Sequence, residues 1–349
     1  MGELFVNTSS GKYSIITENQ SISEFFNKLE HYISGRNYLV VISQKVDKLY
    51  GALIDKGHKF VLKDGEKEKN FKNYKKILDK ALKMKLTRNS VIVAIGGGVV
   101  GDLAGFAAST YMRGIDLIQV PTTLLACVDS SVGGKTAIDT PYGKNLIGTF
   151  YQPKVVLINP NFLKTLDERQ FKTGLGEIVK YAFIEKSCLF DEELNLLNFL
   201  SEKFLQISKR DEKILSKLIE MCLKLKISVV EKDEKESDLR RILNFGHTYG
   251  HAVEKITNYR KYTHGEAVVE GIRFAFKLAA KRNLIDKNYG FLAADIIDKF
   301  NFVKIPEFKL DKMISLMLTD KKSDGKNITF ILPCDYATVQ AYEYSTGEL

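Results

Sequence analysis

The sequence predicts an α/β domain over residues 1–160, followed by a mainly helical domain over residues 161–349. Three observations support this fold class. The chain has 349 residues, which is more than one hydrophobic core usually organises. Short β-branched runs alternate with amphipathic stretches up to about residue 160, and from Asp167 onward the hydrophobic period becomes helical. We therefore expect two cores of different architecture.

The first half contains candidate strands separated by helical patterns. One helical pattern opens with Ser21-Ile22-Ser23-Glu24, which resembles a capping box. Strands that alternate with helices predict βαβ units and a parallel sheet. The candidate strands are residues 38–43, 59–62, 91–95, 116–120 and 155–159.

The second half has apolar residues at helical spacing almost throughout. A short hairpin, formed by residues 328–332 and 337–342, is expected to close the chain. The candidate helices are residues 167–185, 192–208, 211–231, 239–258, 264–282 and 286–300.

The composition is that of a soluble globular protein. Hydrophobic residues make up 44% of the chain and charged residues 27%, which excludes a disordered, collagen-like or disulfide-framework protein. The net charge of +9 comes mainly from lysines concentrated in residues 63–85. Nucleic-acid-binding proteins more often combine arginine with exposed aromatic residues. We expect small phosphorylated substrates and no nucleic-acid partner.

Cysteine usage and hydropathy indicate a cytoplasmic protein. The four cysteines lie far apart and form no C-x-x-C pair, so neither disulfides nor a thiolate metal site is expected. The N-terminus lacks the pattern of a signal peptide. The longest apolar stretch, residues 91–101, is well short of the roughly 20 residues that span a membrane, so no membrane segment is expected.

A glycine-rich segment follows the third candidate strand. Gly96, Gly98 and Gly101 match the spacing G-x-G-x-x-G, in which missing Cβ atoms let main-chain N–H groups and a helix N-terminus approach a pyrophosphate. A tight strand-to-helix turn without a ligand would use the same residues. The segment follows the third strand and not the first, so the N-terminal Rossmann layout is not reproduced.

A second polar segment, residues 121–135, follows the fourth candidate strand and continues at residues 144–148. Its hydroxyls, its glycines and the lysines Lys135 and Lys144 could hold an anionic ligand. A polar loop with incidental lysines is the alternative, and it suits Lys144 better than Lys135, which lies beside two glycines.

Three of the five histidines lie within residues 247–264. His247 and His251 are four positions apart, so both rings would project from one face of a helix, as zinc ligation requires. An isolated histidine is usually structural, but three histidines beside glycines favour a functional cluster. Spacing alone pairs His247 with His251.

Together these segments resemble the 3-dehydroquinate synthases, a family of sugar-phosphate cyclases. The resemblance covers residues 37–332 and rests on GGGVVGDLAGF, PTTLLA, VDSSVGGKT, GKNLIGTF, GLGEIVKY and LNFGHTYGHA. It implies a Rossmann-like NAD-binding domain and a helical domain with a divalent metal, zinc or cobalt. It also implies that the metal ligands are Glu177, His247 and His264, so that His251 becomes a catalytic contact and not a ligand. Two imidazoles and one carboxylate leave positions open, as a catalytic zinc needs.

The resemblance implies roles for a larger set of residues. Those expected to bind NAD are Asp64, Glu66, Lys69, Gly97, Gly98, Val99, Val100, Gly101, Asp102, Thr122, Thr123, Lys135, Lys144, Phe162, Leu163, Lys164 and Thr165. Those expected to act in catalysis or substrate binding are Arg113, Asp129, Lys135, Asn145, Lys180, Lys226, Arg240, Asn244, His251 and either Lys321 or Lys322.

Within the second set, the resemblance assigns separate parts of the substrate. Lys135, Asn145 and one lysine of the 321–322 pair would bind its phosphate, and Lys226 and Arg240 its carboxylate. Arg113 resembles an arginine that reaches across the interface of a homodimer. Arg240 lies four residues before Asn244, so on the predicted helix the two would share a face.

The implied reaction converts 3-deoxy-D-arabino-heptulosonate 7-phosphate into 3-dehydroquinate and phosphate. It combines transient oxidation by NAD, β-elimination of phosphate, re-reduction and intramolecular aldol closure. The alternatives are another sugar-phosphate cyclase, a metal-dependent polyol dehydrogenase and a non-enzymatic module that senses NAD or binds nucleic acid. The carboxylate-binding pair argues against the other cyclases, and a dehydrogenase would produce NADH stoichiometrically.

One position departs from the family pattern. Ser43 ends the first candidate strand, where the family commonly has aspartate. A hydroxyl can still form a hydrogen bond with a ribose, so we expect Ser43 to contribute at most one such bond, roughly 0.5 to 1.5 kcal/mol.

Overall fold

A computed structural model of the chain describes residues 2–318 and 327–348. The chain divides into two compact units, Met1–Leu166 and Asp167–Leu349. The expected phosphate ligands Lys321 and Lys322 lie outside the described residues. No helix within the described residues is both long and apolar enough to cross a membrane.

Within residues 2–166, a seven-stranded sheet has the order β1-β2-β9-β6-β5-β3-β4 and is parallel except for β1. The strands β7 and β8 form a separate antiparallel hairpin. The strands are β1 (Gly2–Thr8), β2 (Gly11–Thr17), β3 (Tyr38–Ser43), β4 (Lys59–Leu62), β5 (Val91–Gly96), β6 (Asp116–Pro121), β7 (Lys135–Thr140), β8 (Gly143–Phe150) and β9 (Val155–Ile158).

The strand order creates a switch point between β3 and β5. The chain runs from β3 outward to β4 and then returns to β5 on the opposite side of β3. In sheets of this doubly wound type, ligands bind outside the carboxyl ends of the two strands at the switch point. Those ends are Ser43 and Gly96. The glycine segment therefore begins at a ligand-binding position although β5 is not the first strand.

Helices cover both faces of the sheet. They are α1 (Ile22–Ile33), α2 (Gln44–Tyr50), α3 (Phe71–Lys83) and α4 (Gly98–Thr110). Leu39 and Val41 face the core under α3 and α4, while Val40 and Ile42 face the core under α1. This division follows from the alternation of side chains along a strand. Ser21 and Glu24 form the capping box at the start of α1.

Neither hairpin of the first unit was among the elements predicted from the sequence. The β1-β2 hairpin extends one edge of the sheet, and the β7-β8 hairpin contains Lys135 and residues 144–148 of the second polar segment, for which no strand was predicted. Residues 145–150 of β8 are all exposed. A strand without a buried face has no alternating apolar pattern by which it could be recognised.

The second unit is helical with a terminal hairpin. Its elements are α5 (Glu168–Ile184), α6 (Leu196–Ser208), α7 (Glu212–Lys232), α8 (His247–Ile256), α9 (His264–Lys281), α10 (Lys287–Lys299), α11 (Leu310–Leu318), β10 (Asn327–Asp335) and β11 (Thr338–Ser345). The helix α11 was not among the predicted elements. The predicted helical domain and its α/β companion are confirmed as a fold class.

One predicted helix, residues 239–258, was wrong as a single element. Leu239–Asn244 is a short 3₁₀ helix, and α8 begins only after Gly246, whose φ is 78°. A Cβ on Gly246 would lie 2.7 Å from the main-chain oxygen of Val268 in α9. The left-handed backbone and this close approach both require glycine, and they interrupt the helix.

Candidate metal centre and glycine loop

Glycines allow α5 and α8 to approach α9 closely. A Cβ on Gly265 would lie 2.1 Å from the main-chain oxygen of Thr173, and one on Gly176 would lie 2.6 Å from that of Gly265. Gly246 makes the corresponding contact between α8 and α9. Glu177, His264 and His247 are direct sequence neighbours of Gly176, Gly265 and Gly246. The same packing therefore brings the three side chains together.

Glu177, His247 and His264 offer ligand atoms that all lie within 4.8 Å of one another. Oε1 of Glu177 is 3.2 Å from Nε2 of His264 and 3.6 Å from Nε2 of His247. Two ligands about 2 Å from a tetrahedral ion are about 3.3 Å apart, so these spacings fit one zinc-sized ion. A buried carboxylate with two imidazoles is also a donor set that zinc and cobalt accept.

A second cluster joins His251, Glu254 and His264, and its ligand atoms also lie within 4.8 Å of one another. Nδ1 of His264 is 3.4 Å from Oε2 of Glu254. His247 and His251 have ring centroids 5.4 Å apart. Among the described residues, neither cluster contains both His247 and His251, the pair that sequence spacing indicates.

The pKa values of the two partly buried imidazoles are shifted in opposite directions. Burial lowers the pKa of His247 to about 3, and Lys180 adds to this effect. Burial alone would lower the pKa of His264 as well, but the carboxylates of Glu254 and Glu177 raise it to about 10. Lys180 forms an ion pair with Glu177 and lies over the ring of Tyr181. Hence Lys180 lies directly beside the candidate metal ligands.

The loop between α7 and α8 is organised by Asp233. Its carboxylate accepts hydrogen bonds from the main-chain N–H groups of Ser237, Asp238 and Arg240, and from the hydroxyl of Ser237. Burial alone would raise the pKa of Asp233, but these hydrogen bonds lower it to about 2. The charged carboxylate thereby holds the segment that carries Arg240.

Arg240 and Asn244 lie in the 3₁₀ helix that this loop enters. A residue four positions on in a 3₁₀ helix is rotated by about a third of a turn, so the expected shared face of these two residues was wrong. The side-chain amide of Asn244 donates to Oε1 of Glu236 at 2.8 Å. The side chain of Arg240 is 1% exposed and that of Lys226, on α7, is 4% exposed, which places two cations in buried surroundings.

The glycine segment forms the N-terminus of α4 in the first unit. Its N-cap residue, Gly97, provides no side-chain hydrogen bond to the first turn. A Cβ on Gly97 would lie 3.0 Å from Cγ2 of Thr123, and one on Gly98 would lie 3.0 Å from Oγ of Ser130. That hydroxyl is buried and has no hydrogen-bond partner among the described residues. These features fit an anionic group at the helix N-terminus.

Several of the expected NAD-binding residues meet beside this loop. Nζ of Lys69 lies 2.5 Å from both Oδ2 of Asp102 and Oδ1 of Asn145. Lys144 and Glu66 are 4.0 Å apart. Burial alone would lower the pKa of Lys69, but Asp102 and Glu66 raise it above its ordinary value. The β7-β8 hairpin thus brings its polar residues to the 64–69 loop.

The other expected NAD-binding residues differ in which atoms they can present. Val100, Phe162 and Leu163 have buried side chains within the core, so only their main chains can contact a ligand. Lys164 and Thr165 are exposed, as is Asp64. The main-chain N–H of Thr122 donates to the carbonyl of Gly96 at 2.9 Å, which joins the second polar segment to the glycine loop.

The remaining expected residues lie in irregular backbone. Asp129 belongs to a π-helical turn, Ala126–Ser130, and Lys135 is exposed at the start of β7. Arg113 has a φ of 68° and follows Met112, whose φ is 52°. Ser43 caps α2, where its hydroxyl accepts a hydrogen bond from the N–H of Val46. Because that hydroxyl already accepts the hydrogen bond that caps α2, it can form fewer hydrogen bonds with a ribose.

Sequence reasoning missed three residues that touch these sites. They are Ser130 beside the glycine loop, Asp233 beneath Arg240, and Glu254 beside His264. Glu254 could have been found from its spacing, because it lies seven residues after His247 and three after His251 on one helix face. The other two had no periodic signal, because they lie at a turn and a loop.

Comparison with known proteins identifies the relatives of the whole chain. A model of the N-terminal domain of 3-dehydroquinate synthase matches residues 59–173, and a model of the C-terminal domain matches residues 174–323. The 3-dehydroquinate synthase of Alkaliphilus metalliredigens is 41% identical over 356 residues, which covers 100% of this chain and 97% of that protein.

Two solved structures share the fold. A 2-deoxy-scyllo-inosose synthase, complexed with carbaglucose-6-phosphate, NAD⁺ and Co²⁺, superposes with a TM-score of 0.82 at 26% identity, covering 98% of this chain and 94% of that one. A 2-epi-5-epi-valiolone synthase from Streptomyces hygroscopicus, with NAD⁺ and Zn²⁺ bound, has a TM-score of 0.84 at 24% identity, covering 96% of this chain and 94% of that one.

Proposed function

The chain belongs to the 3-dehydroquinate synthase family, and from this premise we propose how its residues convert 3-deoxy-D-arabino-heptulosonate 7-phosphate into 3-dehydroquinate and phosphate. The enzyme is a carbon–oxygen lyase of the shikimate pathway. NAD and a divalent metal, zinc or cobalt, are its cofactors. When bound, NAD accepts and returns a hydride within one turnover, and the metal acts as a Lewis acid.

Glu177, His247 and His264 hold the metal in this proposal. The supporting observation is that their three donor atoms converge at spacings suited to one tetrahedral ion. Lys180 and His251 lie beside this set, within reach of a substrate bound there. Lys180 contributes a positive charge next to the ring hydroxyls, and His251 can move a proton between the substrate and solvent.

The glycine loop holds the pyrophosphate of NAD. Gly97, Gly98 and Val99 present main-chain N–H groups at the N-terminus of α4, where the helix dipole favours an anion. Support comes from the position of this loop at the switch point of the sheet. Asp102 and Glu66 hold Lys69, so the cation is fixed at the edge of the cofactor site. Thr122, Thr123, Lys164 and Thr165 line its remaining parts.

The substrate is a keto acid phosphate, and its two anionic groups require separate cations. Lys226 and Arg240 bind the carboxylate, because a buried guanidinium is best satisfied by a planar anion that it can contact through two N–H groups. Lys135 and Asn145, with a lysine of the 321–322 pair, bind the phosphate. Asp129 would contact NAD at its nicotinamide end. Neutralisation of the leaving phosphate favours its elimination.

We also propose that the enzyme is a homodimer in which Arg113 contacts the active site of the other subunit. Two successive non-glycine residues with positive φ support a functional role for this turn, since such strain persists where function requires it. Light scattering should give twice the chain mass of 39.5 kDa. A monomer with full activity would refute the dimer.

The single observation that carries the function is the Glu177, His247 and His264 cluster in a chain of this family. The test is a phosphate-release assay on the heptulosonate phosphate, with NAD and metal omitted in turn. We expect release only when both are present. Release that is independent of metal, or none from the complete mixture, would contradict the proposal.

A further inference from the structure

Glu254 is a buried carboxylate that contacts the far side of a candidate metal ligand. Its side chain is almost fully buried, and its Oε2 is 3.4 Å from Nδ1 of His264. The other ring nitrogen of His264, Nε2, is 3.2 Å from Glu177. The imidazole therefore lies between two carboxylates, one on each nitrogen.

The main chain of His264 is already fixed by other contacts. His264 is the first residue of α9, whose start is closed by a capping box between Thr263 and Glu266. Arg169 on α5 donates from two nitrogens to the carboxylate of Glu266, at 2.9 and 2.8 Å. These contacts hold the backbone but leave the ring of His264 able to rotate. Glu177 and Glu254, one at each ring nitrogen, restrict that rotation, and Glu254 is the one at Nδ1.

We propose that Glu254 is a positioning residue, which keeps the proton of the His264 imidazole on Nδ1 and directs Nε2 towards the metal. This inference rests on the metal centre of the proposed function. An anionic acceptor at Nδ1 stabilises that tautomer and increases the basicity of Nε2. Loss of such a partner typically lowers metal affinity by about 10- to 100-fold.

The same atoms allow a competing assignment. His251, Glu254 and His264 are close enough to hold an ion of their own. In that case Nδ1 of His264 would be a ligand and could not carry a proton. Metal stoichiometry separates the two assignments, because positioning predicts one ion per chain and a second site predicts two.

The experiment compares zinc binding by the metal-free full-length enzyme and its variants, using competition with a chromophoric chelator. Glu254→Gln keeps the shape and an acceptor oxygen but removes the charge, and Glu254→Ala removes the contact. The matched control is Glu270→Gln, because Glu270 is also a largely buried carboxylate on the packed α8–α9 pair and contacts a base, Arg273, at 3.4 Å. The visible spectrum of bound Co²⁺ is recorded for each protein as a readout of ligand orientation.

We expect one zinc per chain in the wild type, an affinity lowered about 10-fold in Glu254→Gln and up to about 100-fold in Glu254→Ala, and no change in Glu270→Gln. The Co²⁺ spectrum should change in both Glu254 variants and not in Glu270→Gln, while the melting temperature of metal-free Glu254→Gln stays near that of the wild type. Wild-type affinity and spectrum in Glu254→Gln would overturn the assignment, even if Glu254→Ala fails to fold.

If the wild-type chain binds two zinc ions and Glu254→Gln loses one of them, Glu254 is a ligand of a second metal site and not a positioning residue. A wild type that binds no zinc or cobalt would refute the proposed metal centre itself. Failure of the positioning role alone differs from failure of the metal centre. In the first case, the wild type and Glu254→Gln each bind one ion with equal affinity.

Discussion

Carboxylates decide the charge of the individual imidazoles in the second unit. His247 and His264 are both partly buried, yet the first has a pKa of about 3 and the second a pKa of about 10. Burial disfavours the charged form of both rings and Glu177 favours it in both, so the difference comes mainly from Glu254, which raises the pKa of His264, and from Lys180, which lowers that of His247. At the scale of single residues, the charge of each imidazole depends on which carboxylates lie beside it.

Replacement of His264 by alanine should remove both metal and activity, because His264 is one of three converging donors. Replacement of His251 by alanine should retain metal and lower the turnover rate. Metal content of the purified variants, measured by atomic emission, checks both statements. Equal loss of metal from the two variants would restore the pairing of His247 with His251 that spacing indicates.

Arg240→Lys keeps the charge but loses the planar pair of donors that fits a carboxylate. We expect kcat/KM on the acid substrate to fall at least about tenfold, equivalent to roughly 1.4 kcal/mol, with zinc content and NAD affinity unchanged. Arg241→Lys is the matched control, because Arg241 is the adjacent arginine and is exposed.

Unchanged kinetics in Arg240→Lys would contradict the carboxylate assignment. Wild-type turnover of sedoheptulose 7-phosphate without activity on the acid would do the same, since that sugar phosphate carries no carboxylate. Either result would support only membership of the broader class of sugar-phosphate cyclases.

At the scale of elements, the candidate metal centre depends on how closely three helices pack. Gly176 and Gly265 allow α5 to meet α9, and Gly246 allows α8 to meet α9. A side chain at these positions would push apart the helices that carry the donor residues. We therefore expect the glycines beside the candidate ligands to be needed for the convergence of those ligands.

Gly265→Ala should destabilise the protein by on the order of 3 kcal/mol and reduce zinc binding, because its Cβ would overlap the main chain of Thr173. Gly290→Ala is the control. It lies within α10 with no atom within 4 Å of the added Cβ, so it should stabilise by about 0.5 to 1 kcal/mol. Urea unfolding of both variants measures these changes. Similar stability of the two variants would contradict the packing argument.

The loop before α8 should contribute less to the stability of the protein at low pH. The folded pKa of Asp233, about 2, is below its ordinary value of 3.8, so its stabilisation is present above pH 4 and is lost as the pH falls through 2. Asp233→Asn should lower the free energy of unfolding by about 1 to 2 kcal/mol near neutral pH. In urea unfolding from pH 6 to pH 3, the difference from the wild type should narrow below pH 4. A difference that is constant with pH would show that the charge is not responsible.

At the scale of the whole molecule, the two units carry different chemistry. The first unit contains the glycine loop at the switch point of its sheet, and the second contains the candidate metal donors. A cyclase and a polyol dehydrogenase could both use such a combination. They differ in whether the hydride is returned to the substrate within one turnover.

During turnover of the heptulosonate phosphate, phosphate should accumulate while NADH does not, because NAD is regenerated in each cycle. Parallel measurement of phosphate release and NADH absorbance checks this outcome. A polyol such as glycerol serves as the control substrate and should yield neither product. Stoichiometric NADH would instead indicate a dehydrogenase.

Hydrophobic periodicity was sufficient to predict the strands and helices that have a buried face. The strands β3, β4, β5, β6 and β9 and the long helices of the second unit all have one, and each was predicted to within a few residues. The β7-β8 hairpin and the break at Gly246 could not be predicted in this way. Exposed strands have no periodic apolar pattern, and a positive φ is not visible in a single sequence.

The sequence by itself determined the two kinds of domain, the family and the residue types that the chemistry needs, because local periodicity and short motifs are properties of adjacent residues. The family resemblance implied that Glu177, His247 and His264 form one set, but only the tertiary structure decided how close their atoms lie and that Glu254 meets His264. Glu177 and His247 are 70 positions apart, and their distance of 3.6 Å depends on how the helices pack against α9. The contact between Glu254 and His264 has the same origin, since it joins two helices through their side-chain packing.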